Sequence, residues 1–483
     1  MKTLFTRPLA ALCLLRRPLA GLALATSAFL LALPASAEVL FQEITSPEGI
    51  TAWLVEDYAV PVVSIRFSFE GGTTQDPVGK EGLTTLLTTL FDEGAGDMDS
   101  EAFQIALDDA GAEMGFSADN DAVYGAMRML ADQREEAIGL LKLAIEAPRF
   151  DQDPIDRMRA QLVTGIIAAA QDPSTAAQQQ WATALYGEHP YARRAEGTQE
   201  SLAGLTADDL RQHHQQLFAQ ENLHVAIVGA IDATEAATLL DTLFASLPAQ
   251  PTLAPIADID PALGQDLRVD YPLPQTSIYM AYPGLERDDP DYFAAYIMAH
   301  ILGGDAFSSR LTTEVREKRG LTYGVSASLS NQRHSNALII GTSTRADRAA
   351  ETLGVIEDVV ADLAARGPTP EELEAAKQYL IGSYPIEQLT SSAAIASTLI
   401  SLQRWDLGID YVARRGDLIN AVTLEDVKAM AEQLLTVEPT VLQMGPAAEP
   451  APAGTPESET ETEAPAPDAG PAPASEATPA PAF

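Results

Sequence analysis

The sequence predicts an α+β protein of two homologous domains, each a mostly antiparallel sheet with helices packed on it. Alternating apolar and polar residues, as in 62–69, indicate half-buried strands, whereas leucines at 83, 86, 87 and 90 follow a helical period. Three landmarks recur in one order: the strand pattern at Val63 returns at Thr276, the helix start at Thr206 at Thr423, and the strand at 224 at 440. These offsets of 213, 217 and 216 positions are too long for a solenoid and indicate a duplicated domain of roughly 200 residues.

The first 37 residues have the composition of a signal peptide. Basic residues precede an apolar run that ends at Leu33, and Ala35-Ser-Ala37 is a small-residue cleavage signal. The alternative, an anchoring helix, is disfavoured because polar, strand-like sequence follows at once. We therefore expect export of a mature chain beginning at Glu38, by the general or the twin-arginine route, to the periplasm or outside the cell.

Charge and cysteine content narrow the classes of partner. The leader holds four of the 30 basic residues and none of the 69 acidic ones, which leaves 26 against 69 and a mature net charge of −43. Such a chain repels nucleic acid and anionic lipid. The single cysteine, Cys13, lies in the leader, so the mature chain has no disulfide and no cysteine metal ligand. No later stretch reaches the ~18 apolar residues of a membrane span.

The mature chain divides into four predicted segments. Residues 38–245 form the N-terminal domain, with strands up to Phe69, a helix from Gly82 to Phe91, a strand pair at 112–118 and 122–130, and a helix capped by Thr206. Residues 246–265, with four prolines, form a linker, and 266–446 form the C-terminal domain. Residues 447–483, rich in Pro, Ala and Glu, are expected to be a disordered tail.

One stretch in the second domain carries the main candidate residues. A helix is predicted from about Ser308 to Lys318, ending before Gly320, with a strand entered through Leu321. A turn there would bring Arg316 and Tyr323 to one spot. A guanidinium and a phenol hydroxyl both donate to carbonyl oxygens, which suits an extended peptide. Spacing alone leaves open a surface arginine and a half-buried tyrosine without function.

The motifs of this stretch resemble the second-domain signature of the pitrilysin/insulinase metallopeptidase family, which includes the mitochondrial processing peptidases. The matching motifs are Ser309-Arg-Leu311, Val315-Arg-Glu-Lys318 and Gly320-Leu-Thr-Tyr323. The resemblance extends from about residue 40 to 446. It implies that two homologous domains face each other as a clamshell, and that Arg316 and Tyr323 bind substrate.

The same resemblance shows which residues stand at the family's zinc positions. Active members carry Gly-x-x-His-x-x-Glu-His, and aligning that glycine on Gly82 places Thr85 and Thr89 at the histidines and Thr88 at the glutamate. The third ligand, a glutamate, falls on Gly165. A threonine hydroxyl is neither a good zinc ligand nor a general base near neutral pH. No two of the six histidines rebuild the motif elsewhere, so we expect this chain to bind no metal.

These features predict a non-catalytic, substrate-binding subunit of a heteromeric zinc metallopeptidase that degrades or processes peptides. The resemblance implies inactivity alone and activity with a homologous, zinc-motif-bearing partner in a heterodimer. One alternative is a peptide-binding or structural scaffold protein without proteolytic role, as in respiratory-complex core subunits that resemble this family. A second, an enzyme with an unfamiliar metal site, lacks candidate ligands.

Overall fold

A computed structural model describes residues 40–304 and 308–446. The predicted signal peptide at 1–37 and the predicted tail at 447–483 lie outside the described residues. From Phe41 onward the described residues belong to one compact unit.

The first half of this unit is built on a six-stranded sheet. Its strands are β1 (Gln42–Thr45), β2 (Thr51–Glu56), β3 (Val62–Glu70), β6 (Glu113–Ala118), β7 (Ala122–Leu130) and β8 (Leu223–Gly229), while β4 (Gly94–Ala95) and β5 (Met98–Asp99) form a separate short ribbon. The sheet order is β1-β2-β8-β3-β7-β6. All pairs are antiparallel except β2 with β8.

The second half repeats this topology. Its strands are β9 (Asp266–Asp270), β10 (Gln275–Pro283), β11 (Thr322–Gln332), β12 (Ser335–Arg345) and β13 (Thr440–Gly445). The order β9-β13-β10-β12-β11 matches β2-β8-β3-β7-β6, and β9 with β13 is again the parallel pair. Strand β11 lies at an edge of its sheet. The α+β class and the duplicated strand patterns predicted from sequence are therefore confirmed.

Helices connect the strands in both halves. In the first half they are α1 (Leu83–Thr88), α2 (Ser100–Asp109), α3 (Arg134–Glu146), α4 (Gln152–Ala169), α5 (Pro173–Tyr186), α6 (Gln199–Ala203), α7 (Ala207–Leu217) and α8 (Ala233–Phe244). In the second they are α9 (Tyr292–Ala299), α10 (Ala349–Arg366), α11 (Pro370–Gln388), α12 (Ser392–Arg404), α13 (Tyr411–Ala421) and α14 (Leu424–Leu435). The predicted caps are present: Thr206 and Thr423 each form a capping box, with Asp209 and Asp426.

Two predicted helices differ from the structure. The helix expected over Gly82–Phe91 is only Leu83–Thr88. It begins after Gly82, which has a left-handed φ of 91°. It ends at Thr88, where the hydroxyls of Thr88 and Thr89 donate hydrogen bonds to the carbonyls three residues before them. The helix expected over Ser308–Lys318 is a wide, π-type turn over Thr312–Glu317. Adjacent threonines in both segments lower helix propensity.

Each half also sends one helix onto the sheet of the other half. Helix α5 packs on β13, where Ala177 and Trp181 contact Leu442 and Met444. Helix α12 packs on β8 and β3, and Gln403 Nε2 donates to Val225 O at 2.9 Å. The two helices hold equivalent places in the repeat. Each half therefore buries part of the other half's sheet, so unfolding of one half exposes apolar surface of the other.

The core of the first half contains a buried histidine. The ring of His214 in α7 lies 4.5 Å from Phe218, 5.8 Å from Phe91 and 6.2 Å from Phe150, centroid to centroid. Burial lowers the pKa of His214 from 6.5 to about 4. The folded chain thus holds this ring neutral at pH values where the unfolded chain protonates it.

Replacing His214 with phenylalanine is expected to make folding less sensitive to acid. Since the unfolded wild type takes up one more proton at this site between pH 6.5 and about 4, its stability falls as pH falls through that window. The variant should gain about 1 kcal/mol relative to wild type per pH unit of acidification. Denaturant unfolding at several pH values measures this. Phe103→Leu, a change at a buried residue that does not titrate, should lower stability equally at every pH. A pH-independent change in stability for His214→Phe would contradict the lowered pKa of His214.

Candidate functional site

The threonines at the expected zinc positions are engaged with backbone carbonyl groups. Thr85 Oγ1 donates to Ala195 O at 2.6 Å, Thr88 Oγ1 to Thr85 O at 2.8 Å, and Thr89 Oγ1 to Leu86 O at 2.8 Å. The leucines on the other side of this segment are buried, as their spacing predicts. The helix is therefore in the expected place, but its polar face is closed by its own backbone and by the loop that follows α5.

That loop approaches α1 through two glycines with positive φ. A Cβ on Gly82 would lie 2.6 Å from Glu196 O, and one on Gly197 would lie 2.1 Å from Glu81 O. Real Cβ atoms do not approach backbone oxygen this closely, so both positions require glycine. The close approach places the carbonyl of Ala195 against Thr85.

The fourth expected position supplies no metal ligand either. Gly165 is exposed on α4, and a Cβ built there would meet nothing within 4 Å. Within residues 40–304 and 308–446, no group of three or more His, Cys, Asp or Glu side chains is arranged to hold a metal. A zinc ion needs nitrogen, sulfur or carboxylate donors. The residues at the family positions do not fit zinc.

A buried polar cluster that the sequence did not indicate lies at the start of α1. Asp76 accepts hydrogen bonds from the Gly82 and Thr84 amides at 2.8 and 2.9 Å, and from Thr84 Oγ1 at 2.5 Å. His213 Nε2 lies 2.8 Å from the same hydroxyl. Burial raises the pKa of Asp76 to about 6, despite these hydrogen bonds, and lowers that of His213 to about 4. The three side chains are at most 3% exposed, so the cluster anchors α1 and does not meet substrate.

The structure exposes both members of the predicted substrate-binding pair. Arg316 lies in the wide turn, and the chain reverses where Gly320 N donates to Arg316 O at 2.9 Å. Tyr323 is 92% exposed. The alternative that Tyr323 is half-buried, which the spacing alone left open, is therefore wrong.

The orientation of Tyr323 comes from a β-bulge. The register of β11 against β12 shifts between Thr322 and Val325. The Thr322 hydroxyl holds the bulge, since it accepts from Gly324 N at 3.1 Å and donates to a carbonyl at 2.8 Å. Bulges re-aim a side chain, and this one directs Tyr323 to solvent at the start of an edge strand.

The two halves meet at a hydrogen-bonded seam next to this strand. At the β11–β12 turn, Gln332 accepts from Asn120 at 2.8 Å and Arg333 N donates to Asp121 at 3.0 Å. His334 N donates to the hydroxyl of Tyr191 at 2.9 Å. These bonds fix the far end of β11 against the first half and so position the edge strand that begins at Tyr323.

Comparisons with known proteins agree with the duplicated fold. A crystal structure of a peptidase M16 inactive domain from Pseudomonas fluorescens is 31% identical, with a TM-score of 0.78, and the match covers 85% of this chain and 98% of that one. A protease from Helicobacter pylori shares the fold at 16% identity and a TM-score of 0.75. The fold and site define a two-domain, peptidase-like protein, which confirms the predicted fold class.

The 31% identical structure shows the family, and sequence comparisons agree with it. Residues 204–380 match the family model described as the peptidase M16 inactive domain. A Helicobacter pylori protein named a non-peptidase homolog is 24% identical over 345 residues, covering 71% of this chain and 79% of the relative. An uncharacterized zinc protease of Mycobacterium leprae is 29% identical over 357 residues, covering 71% and 78%. The chain belongs to the M16 peptidase family, and the resemblance drawn from its motifs is confirmed.

None of the described helices is both long and apolar enough to cross a membrane.

Proposed function

We propose that this protein is a non-catalytic, substrate-binding subunit of a heteromeric M16 metallopeptidase. The observation that carries the proposal is the contrast between its two sites. Threonines and a glycine stand where zinc ligands are needed, whereas Arg316 and Tyr323 remain and face solvent. A homologous partner subunit would supply zinc, which activates the attacking water.

The edge strand β11 supports a role in holding peptide. An edge strand offers unpaired backbone N–H and C=O groups, so an extended peptide adds to it through main-chain hydrogen bonds with little sequence preference. In the proposed complex Tyr323 donates to a substrate carbonyl beside that strand, and Arg316 binds a carbonyl or a carboxylate. The acidic chain would favour neutral or basic peptides.

The decisive experiment compares three samples on a library of quenched fluorescent peptides. These are this protein alone, the zinc-motif homologue encoded in the same genome, and the two mixed. Cleavage that appears or rises sharply only on mixing, and that a chelator abolishes, is the expected result. Chelator-sensitive cleavage by this protein alone would show that the assignment of Thr85, Thr88, Thr89 and Gly165 is wrong.

Substitution of the exposed pair tests its role in that complex. Tyr323→Phe or Arg316→Ala should each lower turnover by about tenfold, the value of one hydrogen bond to substrate, without weakening assembly. Tyr58→Phe is the matched control, because Tyr58 is also well exposed, at 61%, and lies in the other half. Turnover that is unchanged in both site variants would remove the pair from the mechanism.

A peptide-binding or structural scaffold without proteolytic role is the second candidate. The closed face of α1 is compatible with it, since no described residue offers the missing ligands. Absence of a zinc-motif homologue from the genome, together with no cleavage on mixing, would favour it.

We also propose that the protein acts after export, in the periplasm or outside the cell. The basic and apolar leader with its Ala35-Ser-Ala37 site supports this. The mass of the chain recovered from that compartment checks it, since cleavage should leave Glu38 as the first residue.

A further inference from the structure

The second half contains a cavity of about 380 Å³ that the proposed peptidase role does not use. It lies between the start of α9, the end of β11, the C-terminal end of α11, helix α12 and the start of α13. Two arginines, Arg287 and Arg415, line it together with aromatic side chains. The volume is within the range of small-molecule sites.

The aromatic rings hold both guanidinium groups in place. Arg287 Cζ lies 4.1 Å from the ring centroid of Tyr292, and its Nη2 donates to the hydroxyl of Tyr411 at 2.5 Å. Arg415 Cζ lies 4.3 Å from the ring centroid of Tyr384. Stacking of this kind fixes the plane of a guanidinium and leaves its edge N–H groups available.

Neither arginine has an acidic partner among the described residues. Arg415 donates to Leu380 O at 2.7 Å, and Arg287 donates to the hydroxyl of Tyr411. Neither guanidinium forms an ion pair with a described residue. Arg415 is only 6% exposed. Arg287 is half-buried. The chain has 69 acidic residues against 30 basic ones, so two arginines without an acidic partner, one of them buried, are unexpected. An arginine has five N–H donors, and an uncompensated buried charge is costly.

The charge of the lining favours a singly charged anion. Glu387 is the one acidic side chain among the lining residues, and it is exposed at the rim. Burial raises the pKa of Tyr292 and of Tyr384 to about 12, against the opposing charges of both arginines. These phenols therefore remain protonated at neutral pH. Tyr292 donates its proton to Asn331 Oδ1 at 3.3 Å, and the hydroxyl of Tyr384 can donate to a ligand.

We propose that this cavity binds a carboxylate, held by Arg287 and Arg415, with the apolar body of the ligand against the aromatic rings. A carboxylate matches the bidentate geometry of a guanidinium and supplies the missing counter-charge. The carboxylate belongs either to a small organic acid or to the free end of a peptide. This inference does not depend on the proposed peptidase role.

Binding should also stabilise the junction of the halves. Helix α12 lines the cavity with Thr398, Ser401 and Leu402 and packs its other side on the first sheet. A ligand that binds only the folded chain raises its apparent stability. Thermal unfolding therefore reports binding without any activity assay.

The test uses the full chain with phenylacetate and with its neutral isostere phenylacetamide, followed by a short peptide with a free or an amidated C-terminus. Calorimetry and thermal unfolding should show binding of the carboxylate form and at least about tenfold weaker binding of the amide. If the free-ended peptide binds and phenylacetate does not, the carboxylate is that of a chain end. If phenylacetate binds, a small acid suffices.

Arginine variants assign the site. Arg287→Gln should weaken binding at least about tenfold, and Arg415→Lys should do so while keeping the charge, because the fork geometry is lost. Arg414→Gln is the matched control: it is the neighbouring residue, and its guanidinium is paired with Asp410 at 3.1 Å. Equal binding of acid and amide, no binding of either acid, or equal loss in the Arg414 variant would overturn the proposal.

Discussion

Replacing Phe67 with alanine is expected to lower the free energy of unfolding by about 3–5 kcal/mol. Phe67 is fully buried in β3, and its ring centroid lies 5.3 Å from Phe244, 5.8 Å from Phe116 and 5.9 Å from Phe69. Its removal leaves a cavity at the centre of this aromatic cluster. Denaturant unfolding of the variant and the wild type measures the loss.

The residue opposite Phe67 on the neighbouring strand is a glycine, and substituting it tests the same packing. Gly125 is its direct partner on β7, and a Cβ there would lie 2.0 Å from Phe67 Cζ. Gly125→Ala should therefore destabilise the wild type by about 1–3 kcal/mol, because the ring cannot stay in place. In the Phe67→Ala background the same methyl enters the cavity, so it should cost little or stabilise.

A glycine on the neighbouring strand is the control for this cycle. A Cβ on Gly115 would meet nothing within 4 Å, so Gly115→Ala should be neutral or slightly stabilising in either background. Additive effects of the Phe67 and Gly125 changes would contradict the packing described here.

Replacing Arg404 with methionine should destabilise the protein by about 2–4 kcal/mol through loss of a partly buried ion pair between the halves. Arg404 ends α12, and its side chain is 13% exposed. Its Nε lies 3.3 Å from Glu70 on β3, and its Nη1 lies 3.5 Å from Asp119 and contacts the hydroxyl of Tyr124. Removal leaves the partly buried Glu70 carboxylate without its arginine and with His224 as its remaining partner, at 3.3 Å.

The electrostatics of Glu70 support this expectation. Burial by itself raises the pKa of Glu70, but the hydrogen bond to His224 and the charge of Arg404 outweigh burial and leave the pKa below its usual value. A carboxyl group with a lowered pKa stabilises the fold above its unfolded pKa and loses that contribution as pH falls. The Arg404 variant should therefore lose more stability at neutral pH than in acid.

Two further variants separate the ion pair from simple loss of packing. Arg404→Met combined with Glu70→Gln should recover part of the stability, because no partly buried carboxylate is left without its arginine. Arg345→Met removes an exposed arginine that pairs with Asp347 and should change stability by less than about 1 kcal/mol. Amide hydrogen exchange along α12 should rise in Arg404→Met and not in Arg345→Met. Unchanged exchange in Arg404→Met would contradict the proposal that Arg404 holds α12 against the first half.

Much of the fold follows from local signals in the sequence. The alternation of Val62–Phe69, the leucine period from 83 to 90, and the caps at Thr206 and Thr423 each specify an element through contacts within a few residues. The repeated order of these signals gave the duplication, and the two sheets share it. Helix length was less predictable, because threonines divide their hydroxyls between solvent and nearby carbonyls.

The candidate site likewise has features that the sequence predicts and features that only tertiary packing sets. The sequence by itself predicted that Thr85, Thr88, Thr89 and Gly165 stand at the family's zinc positions. These residue types offer no good zinc ligands, because donor chemistry is a property of residue type. The sequence also placed Arg316 and Tyr323 on either side of one turn. Only the tertiary structure decided that a bulge turns Tyr323 outward, that α5 and α12 each cover the other half's sheet, and that Arg287 and Arg415 share one cavity. These features depend on packing between residues far apart in the chain, and no local pattern encodes such contacts.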